Sequence, residues 1–420
     1  MKLCVALLVV GMLVTSGAYA AEGMYVPIEL QKKLDFTKLK KLGLTLDAKG
    51  IERLVPAIIK VAHGGTGSFV SKTGLLVTNH HVAYGCIAAL SSTRKHWGIL
   101  KKGYYAEKIT DEIPCPGYDL MVVAEISDVT SQVHSVVKPK MTITKKLKAM
   151  RIKAEQLAEE CAKKTGLHCE VKPYSGGAMY YLNKYMKITD VRLVFAPPSD
   201  LGKFGGDVDN WRYPRHTADF TFLRAYVSRK GVGVPFELAN VPYQPKVFLK
   251  ISNNHNPLGK INLVLGFPGR TNRFESSYSA KFQAEYATPL KRDIYGKIFQ
   301  YLKSSISSHK LSKAKYASMI AGLANAEKYY QDSAKSMIQH KLVANKIVQE
   351  NAIRSRLKGK DTKEYASLLS EIDSIFTKTK KFYKRYLLLS VMTRILPSVR
   401  GSFYIARWNR IKDQKSVERS

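Results

Sequence analysis

Acidic side chains are scarce in this chain: 33 Asp and Glu stand against 68 Lys and Arg over 420 residues, a formal charge of +35. The excess is spread rather than gathered, since residues 276–420 alone hold 29 basic and 11 acidic residues. A nucleic-acid binder concentrates such charge on one face with interleaved aromatics, so no nucleic-acid partner is expected. The surplus reads as solvated helix faces, with an anionic surface such as envelope polymer or acidic peptide as the functional alternative. Cysteine is sparse at five, which excludes a disulfide scaffold, and no Cys-x-x-Cys or His-x-x-x-His spacing marks a metal site. Neither metal nor cofactor is expected. Glycine at 28 and proline at 16 exclude collagen-like and low-complexity chains, and 45% apolar against 24% charged residues excludes wholesale disorder. Past residue 20 no apolar run nears the roughly 18 residues of a membrane span, so none is expected.

The first twenty residues stand apart. Lys2, the apolar run Leu3 to Val14 and the small-residue exit Ala18-Tyr19-Ala20 have the layout of a secretory signal. Residues 1–20 are therefore expected to be cleaved, with a mature start near Ala21 and a periplasmic or secreted destination. Cys4 leaves with the signal. Export permits disulfides among Cys86, Cys115, Cys161 and Cys169, and four thiols allow three pairings. Cys161 and Cys169 are near enough to close a small loop, but plain buried thiols fit equally well.

The chain changes texture near residue 275. Before it, short apolar runs are broken by Gly, Pro and Asn, as in Gly67–Val70, Leu75–Val77, Leu120–Val123 and Ile261–Leu265, and these read as strands. Ser71-Lys72-Thr73-Gly74 reads as a hairpin turn with Gly74 free to take positive φ. One helical insertion is expected near 144–165, where Lys, Ala, Glu and Leu run without Gly or Pro. From 276 to 420 apolar residues recur at helical spacing through Tyr286–Ser304, Ala317–Ser355 and Lys363–Leu396, with Pro397 and Gly401 interrupting the last. The expected order is thus a β-rich region at 21–275 and an α-helical domain at 276–420.

Two segments carry chemistry. In the first, a glycine-rich stretch, a hairpin, the strand Leu75-Leu76-Val77 and Thr78-Asn79-His80-His81 deliver a histidine at a strand end. A general base must be held rigidly within reach of its nucleophile, and a packed strand does that. If the backbone stays extended there, His80 points to the opposite side from His81. A His-His pair alone reads more readily as structural. In the second, Phe204 to Phe220 is dense in glycine, aromatic and polar residues without period, and Asp219 stands before the alternating segment Phe220–Arg224. A carboxylate so placed can orient an imidazole and stabilise its cation, although Asp219 alone reads as a turn residue.

Together, Asn79-His80-His81, the run Gly205-Gly206-Asp207-x-Asp209-Asn210-Trp211-x-x-Pro214-Arg215-His216-Thr217-x-Asp219, and Gly266-Phe267-Pro268-Gly269-Arg270-Thr271-Asn272-Arg273 resemble the bacterial dipeptidyl-peptidase family S46. Tyr174-x-Gly176-Gly177 and Asp190-Val191-Arg192 occur in the same order. The resemblance implies an α+β fold: a chymotrypsin-like β-barrel, the first of the family's two, followed by a mostly α-helical cap domain that is incomplete here. It assigns the general base to His81 and the orienting carboxylate to Asp219. Asn210, Trp211 and Asn325 would hold a substrate's free α-amino group, which needs oxygen acceptors once stripped of water and gains from an indole face. It also implies a departure: Gly65 and Val82 stand where the family has cysteines that bridge the strand before the base to the residue after it.

The resemblance places the nucleophile in a Gly-Asn-Ser-Gly-Ser-Pro-like segment of a second barrel, and no such segment occurs before Ser420. The expectation is a serine dipeptidyl-peptidase by family whose 420 residues alone are inactive, as the first part of a split gene or an incomplete product. The expected partners are oligopeptides with a free N-terminus and either a second copy of the chain or a complementing C-terminal fragment. The competing reading is a non-enzymatic periplasmic peptide-binding pseudopeptidase that keeps the amino-group clamp. A basic envelope-adhesion module is a third.

Overall fold

A computed structural model of the chain describes residues 25–61, 64–206, 214–254, 261–269, 275–308 and 313–417. The chain divides into two compact units, Met1–Phe204 with Thr217–Arg273, and Gly205–His216 with Phe274–Ser420.

The first unit is built on an eleven-stranded antiparallel sheet. Its strands are β1 Ile58–Val61, β2 Thr66–Phe69, β3 Leu75–Thr78, β4 Tyr104–Tyr105, β5 Ile113–Pro114, β6 Leu120–Asp128, β7 His168–Tyr174, β8 Met179–Ile188, β9 Asp190–Ala196, β10 Thr221–Val227 and β11 Val241–Pro242. The order is β4-β9-β10-β3-β2-β1-β6-β8-β7, with β11 on β10 and β5 on β9. Among the described residues no ladder joins β4 to β7, so these pairings leave the sheet open and do not close the expected barrel. The alternating burial of β2 and β3 puts Phe69 and Leu76 into a core shared with Ile59, Leu120, Leu193 and Leu223.

The β2–β3 hairpin turns where expected. Gly74 has φ +70°, and a Cβ there would lie 2.7 Å from the Tyr243 carbonyl oxygen and 3.0 Å from that of Ala225, so only glycine fits. The helical insertion spans Ile143–Thr165, with the Thr142 hydroxyl accepting from the Lys145 amide at its start and Gly166 at φ +70° just past its end. Ile261–Leu265, expected as a strand, belongs to none of the ladders among the described residues. Ile261 and Leu265 instead pack against Leu30, Leu44 and Ile51 in a satellite cluster, so their apolarity serves burial without a ladder. Cys86 is bonded to Cys115 and Cys161 to Cys169, which settles the pairing that sequence left open.

The second unit is helical: Ser277–Phe282, Thr288–Ser307, Lys313–Gln339, Leu342–Arg354, Lys360–Ile395 and Pro397–Val417. Tyr295, Leu302, Leu323, Leu387 and Val391 form its core. The apolar periodicity of Ala317–Ser355 is split by Lys341 in the left-handed region at φ 50°. Pro397 starts a new helix, as suits a residue with fixed φ and no amide donor, whereas Gly401 lies inside that helix and does not interrupt it. No described helix is long and apolar enough to cross a membrane.

Candidate active site

The site is assembled where β3 ends and β10 begins. These strands pair with Thr221 opposite Thr78, which sets the residues after β3 beside those before β10. After Thr78 the chain enters helix α1, His80–Ser91, with Asn79 as its extended N-cap residue. The two histidines therefore diverge because they are successive positions at a helix start, not because the backbone is extended.

His81 faces outward, with its side chain 63% exposed. Its Nδ1 lies 2.7 Å from Asp219 Oδ2, and its main-chain amide donates to Asp219 Oδ1 at 3.0 Å. The Asn79 side-chain amide donates to the Asp219 carbonyl at 3.1 Å and to Oδ2 at 3.3 Å. Burial works against charge on Asp219, but the hydrogen bonds from the His81 ring and amide outweigh it and hold the carboxyl below its ordinary value. The ring nitrogen beside the carboxylate is thus the protonated one, and Nε2 has no partner among the described residues.

His80 is fully buried, and neither ring nitrogen has a partner among the described residues. Its imidazole lies against Gly202, where a Cβ would come within 2.7 Å of the ring. Just there, Thr217 Oγ1 donates to the Leu201 and Gly202 carbonyls at 3.2 and 3.1 Å, and the Ala218 amide donates to Leu201. Burial holds the His80 imidazole below its ordinary pKa, opposed by the charge of Asp219 and reinforced by Lys203 and His81. The unfolded chain then takes up a proton on this residue more readily than the folded one, so stability falls as pH drops below the ordinary histidine range. His80→Leu is expected to remove that loss in urea melts compared at about pH 6.5 and about pH 5.5, the wild type losing stability between the two and the variant losing less. An unchanged slope would place the titrating group elsewhere.

The first turns of α1 are anchored from the side. The Tyr118 hydroxyl accepts from the Cys86 amide and donates to the Val82 carbonyl, both at 3.1 Å, inserting between the two groups of one helical turn. A Cβ on Gly85 would lie 3.0 Å from that hydroxyl, so a glycine accommodates the insertion. The Cys86–Cys115 bond ties the same turn to the chain beside β5.

The two positions of the expected missing bridge do adjoin each other. A Cβ on Gly65 would sit 3.4 Å from Val82 Cβ and 2.6 Å from Cγ2. Gly65→Cys with Val82→Cys is expected to cross-link in air. Loop closure contributes about 3 kcal/mol, offset by about 1–3 kcal/mol for a side chain at the φ of +127° found there. Thiol titration and melting temperature check this, and two free thiols in the folded variant would contradict it.

Three further candidates came from the sequence: Asn210, Trp211 and Asn325. Asn210 and Trp211 lie outside the described residues. Asn325 is half-buried in the helix Lys313–Gln339 of the second unit. Among the described residues no group of His, Cys, Asp and Glu could hold a metal ion.

A profile of peptidase family S46 matches residues 20–417. The chain belongs to peptidase family S46. This S46 chain is 32% identical over 407 residues to dipeptidyl-peptidase 7 of Capnocytophaga gingivalis, covering 95% of the chain and 56% of the relative. It is 29% identical over 418 residues to the Asp/Glu-specific dipeptidyl-peptidase of Shewanella putrefaciens, covering 98% of the chain and 56% of the relative. Among solved structures, Porphyromonas endodontalis DPP11 in complex with substrate matches with a TM-score of 0.76 at 28% identity, over 88% of this chain and 54% of that one. The S46 chain thus spans about half the length of the relatives it matches.

The sequence reading missed Asn79, Gly202 and Tyr118. Asn79 stood in the sequence only as part of the Asn-His-His motif, and the other two carry no local signal, since their partners lie more than a hundred and about thirty residues away.

Proposed function

We propose that this chain carries the base half of a serine-type dipeptidyl-peptidase that releases dipeptides from peptide N-termini. The observation that supports it is the 2.7 Å bond from His81 Nδ1 to Asp219, with the ring otherwise exposed. His81 is the general base: Asp219 holds the tautomer that keeps Nε2 free to take a hydroxyl proton and stabilises the imidazolium that results. The hydroxyl itself is not supplied by any segment of these 420 residues that resembles the family's nucleophile motif. The relatives' names and the peptide complexes of Porphyromonas endodontalis DPP11 favour oligopeptides as the ligand class. Asn210, Trp211 and Asn325 would grip the substrate's ammonium group, which counts two residues to the scissile bond. Residues 1–20 direct the chain to the periplasm or beyond.

The test pairs turnover with binding. The purified 420-residue chain, given a panel of dipeptidyl fluorogenic substrates, is expected to show no hydrolysis. In calorimetry it is expected to bind free peptides and to lose affinity for the same peptides once N-acetylated. Binding indifferent to acetylation overturns the ammonium grip. Turnover abolished by His81→Ala overturns the inactivity while upholding the base.

A further inference from the structure

Asn79 is the N-cap residue of α1, a position at which Asn is favoured because its side-chain oxygen accepts from the amide two or three residues on. Here it makes no such bond. Its amide nitrogen instead donates to Asp219 twice, to the carbonyl at 3.1 Å and to Oδ2 at 3.3 Å. The free helix amide at His81 is taken by Asp219 Oδ1 at 3.0 Å. The capping task has passed to the carboxylate, and the capping residue has become a donor to it.

Three residues, Asn79, His81 and Asp219, bear on one another through this exchange. Oδ1 is fixed by the His81 amide, and Oδ2 is shared by the His81 ring and the Asn79 amide. Two points of attachment, one on each oxygen, would still let the carboxylate tilt about the line joining them. The Asn79 contacts to Oδ2 and to the residue's own carbonyl oppose that tilt and keep an Oδ2 lone pair aimed at Nδ1. Hydrogen bonds weaken steeply with misalignment, so a small rotation would loosen the imidazole. A carboxylate at a helix N-terminus is also favoured by the helix dipole, which reinforces the arrangement.

We propose that Asn79 is a positioning residue for the His81–Asp219 couple, acting on the carboxylate rather than touching substrate. This rests on the roles assigned above to His81 and Asp219. A residue that only stabilised the helix would be replaceable by Ser, which caps equally well, without changing how strongly residues 81 and 219 sense each other.

The experiment follows the His81 ring through its titration by NMR in the full chain, with Asp219, His80 and Lys203 as the titratable groups nearby. Asp219→Asn is expected to shift the His81 midpoint downward, because the imidazolium loses its anion. The same substitution made with Asn79→Ser is expected to shift it by less than half as much, with the melting temperature of Asn79→Ser within a few degrees of wild type. An equal shift in both backgrounds overturns the positioning role and leaves the couple standing. No shift in the wild-type background overturns the couple itself, and the proposal with it. Should Asn79→Ser fail to fold, Asn79→Thr, which also caps a helix but lacks the amide donor, takes its place in the same comparison, and an equal shift in both backgrounds overturns the proposal.

Discussion

Asp190→Ala is expected to destabilise the first unit by about 3–5 kcal/mol, the cost of leaving a buried guanidinium without its anion. Asp190 and Arg192 stand two apart on β9, hence on one face of the sheet, and are 1% and 7% exposed. Arg192 donates from Nε to Oδ1 at 3.0 Å and from Nη2 to Oδ2 at 2.8 Å, and Nη2 also reaches the Glu237 carbonyl. Its guanidinium lies 3.7 Å from the centre of the Tyr226 ring, and Asn240 completes the Asp190 carboxylate at 2.9 Å. Burial opposes the guanidinium's charge, and the bond and charge of Asp190 outweigh it and raise its pKa. With that partner gone the guanidinium still keeps its proton, because arginine is intrinsically too basic to lose it in a protein. Denaturant melts of Asp190→Ala and of the double variant Asp190→Leu/Arg192→Met separate the terms. The double variant is expected to be near neutral, because it removes both charges together. A double variant as unstable as the single one would show that packing, not the orphaned charge, sets the cost.

Removing the Cys86–Cys115 bond is expected to cost about 3–4 kcal/mol from the 29-residue separation it closes, on a chain-entropy account. The bond joins α1 to the strand region beside β5, so its loss loosens the element that presents His80 and His81. Cys86→Ser with Cys115→Ser is compared with Cys161→Ser with Cys169→Ser, which opens a separation of only eight residues and is expected to cost less. Melting temperatures that fall equally in the two pairs would contradict the loop-length argument.

What could be read from the sequence was what local chemistry decides. Gly74 marked a hairpin because its backbone conformation admits no other residue, and Thr142 with Gly166 bracket a helix in a stretch with no breaker inside it. Helix α1 was hidden. His80-His81-Val82-Ala83-Tyr84-Gly85-Cys86 is rich in weak helix formers, and what holds it helical is tertiary: the Tyr118 hydroxyl and the Cys115 sulfur, both supplied from some thirty residues away. The run Ile261–Leu265 misled for the converse reason: Ile261 and Leu265 pack into a satellite cluster without a ladder, and Val264 stays 95% exposed, so apolar side chains in a row did not mark a strand. His81 and Asp219 are 138 residues apart and were joined only through the family motifs, while nothing local to Asn79 marked its bond to a residue 140 positions away.

The central claim is that the ring proton of His81 is held by Asp219. Proton NMR of the intact chain tests it directly, by looking for the imidazole Nδ1 proton far downfield of the amide envelope. One such resonance is expected in the wild type, protected from exchange and absent in both Asp219→Asn and His81→Ala. A wild-type spectrum without it, or a resonance that survives Asp219→Asn, would contradict the account.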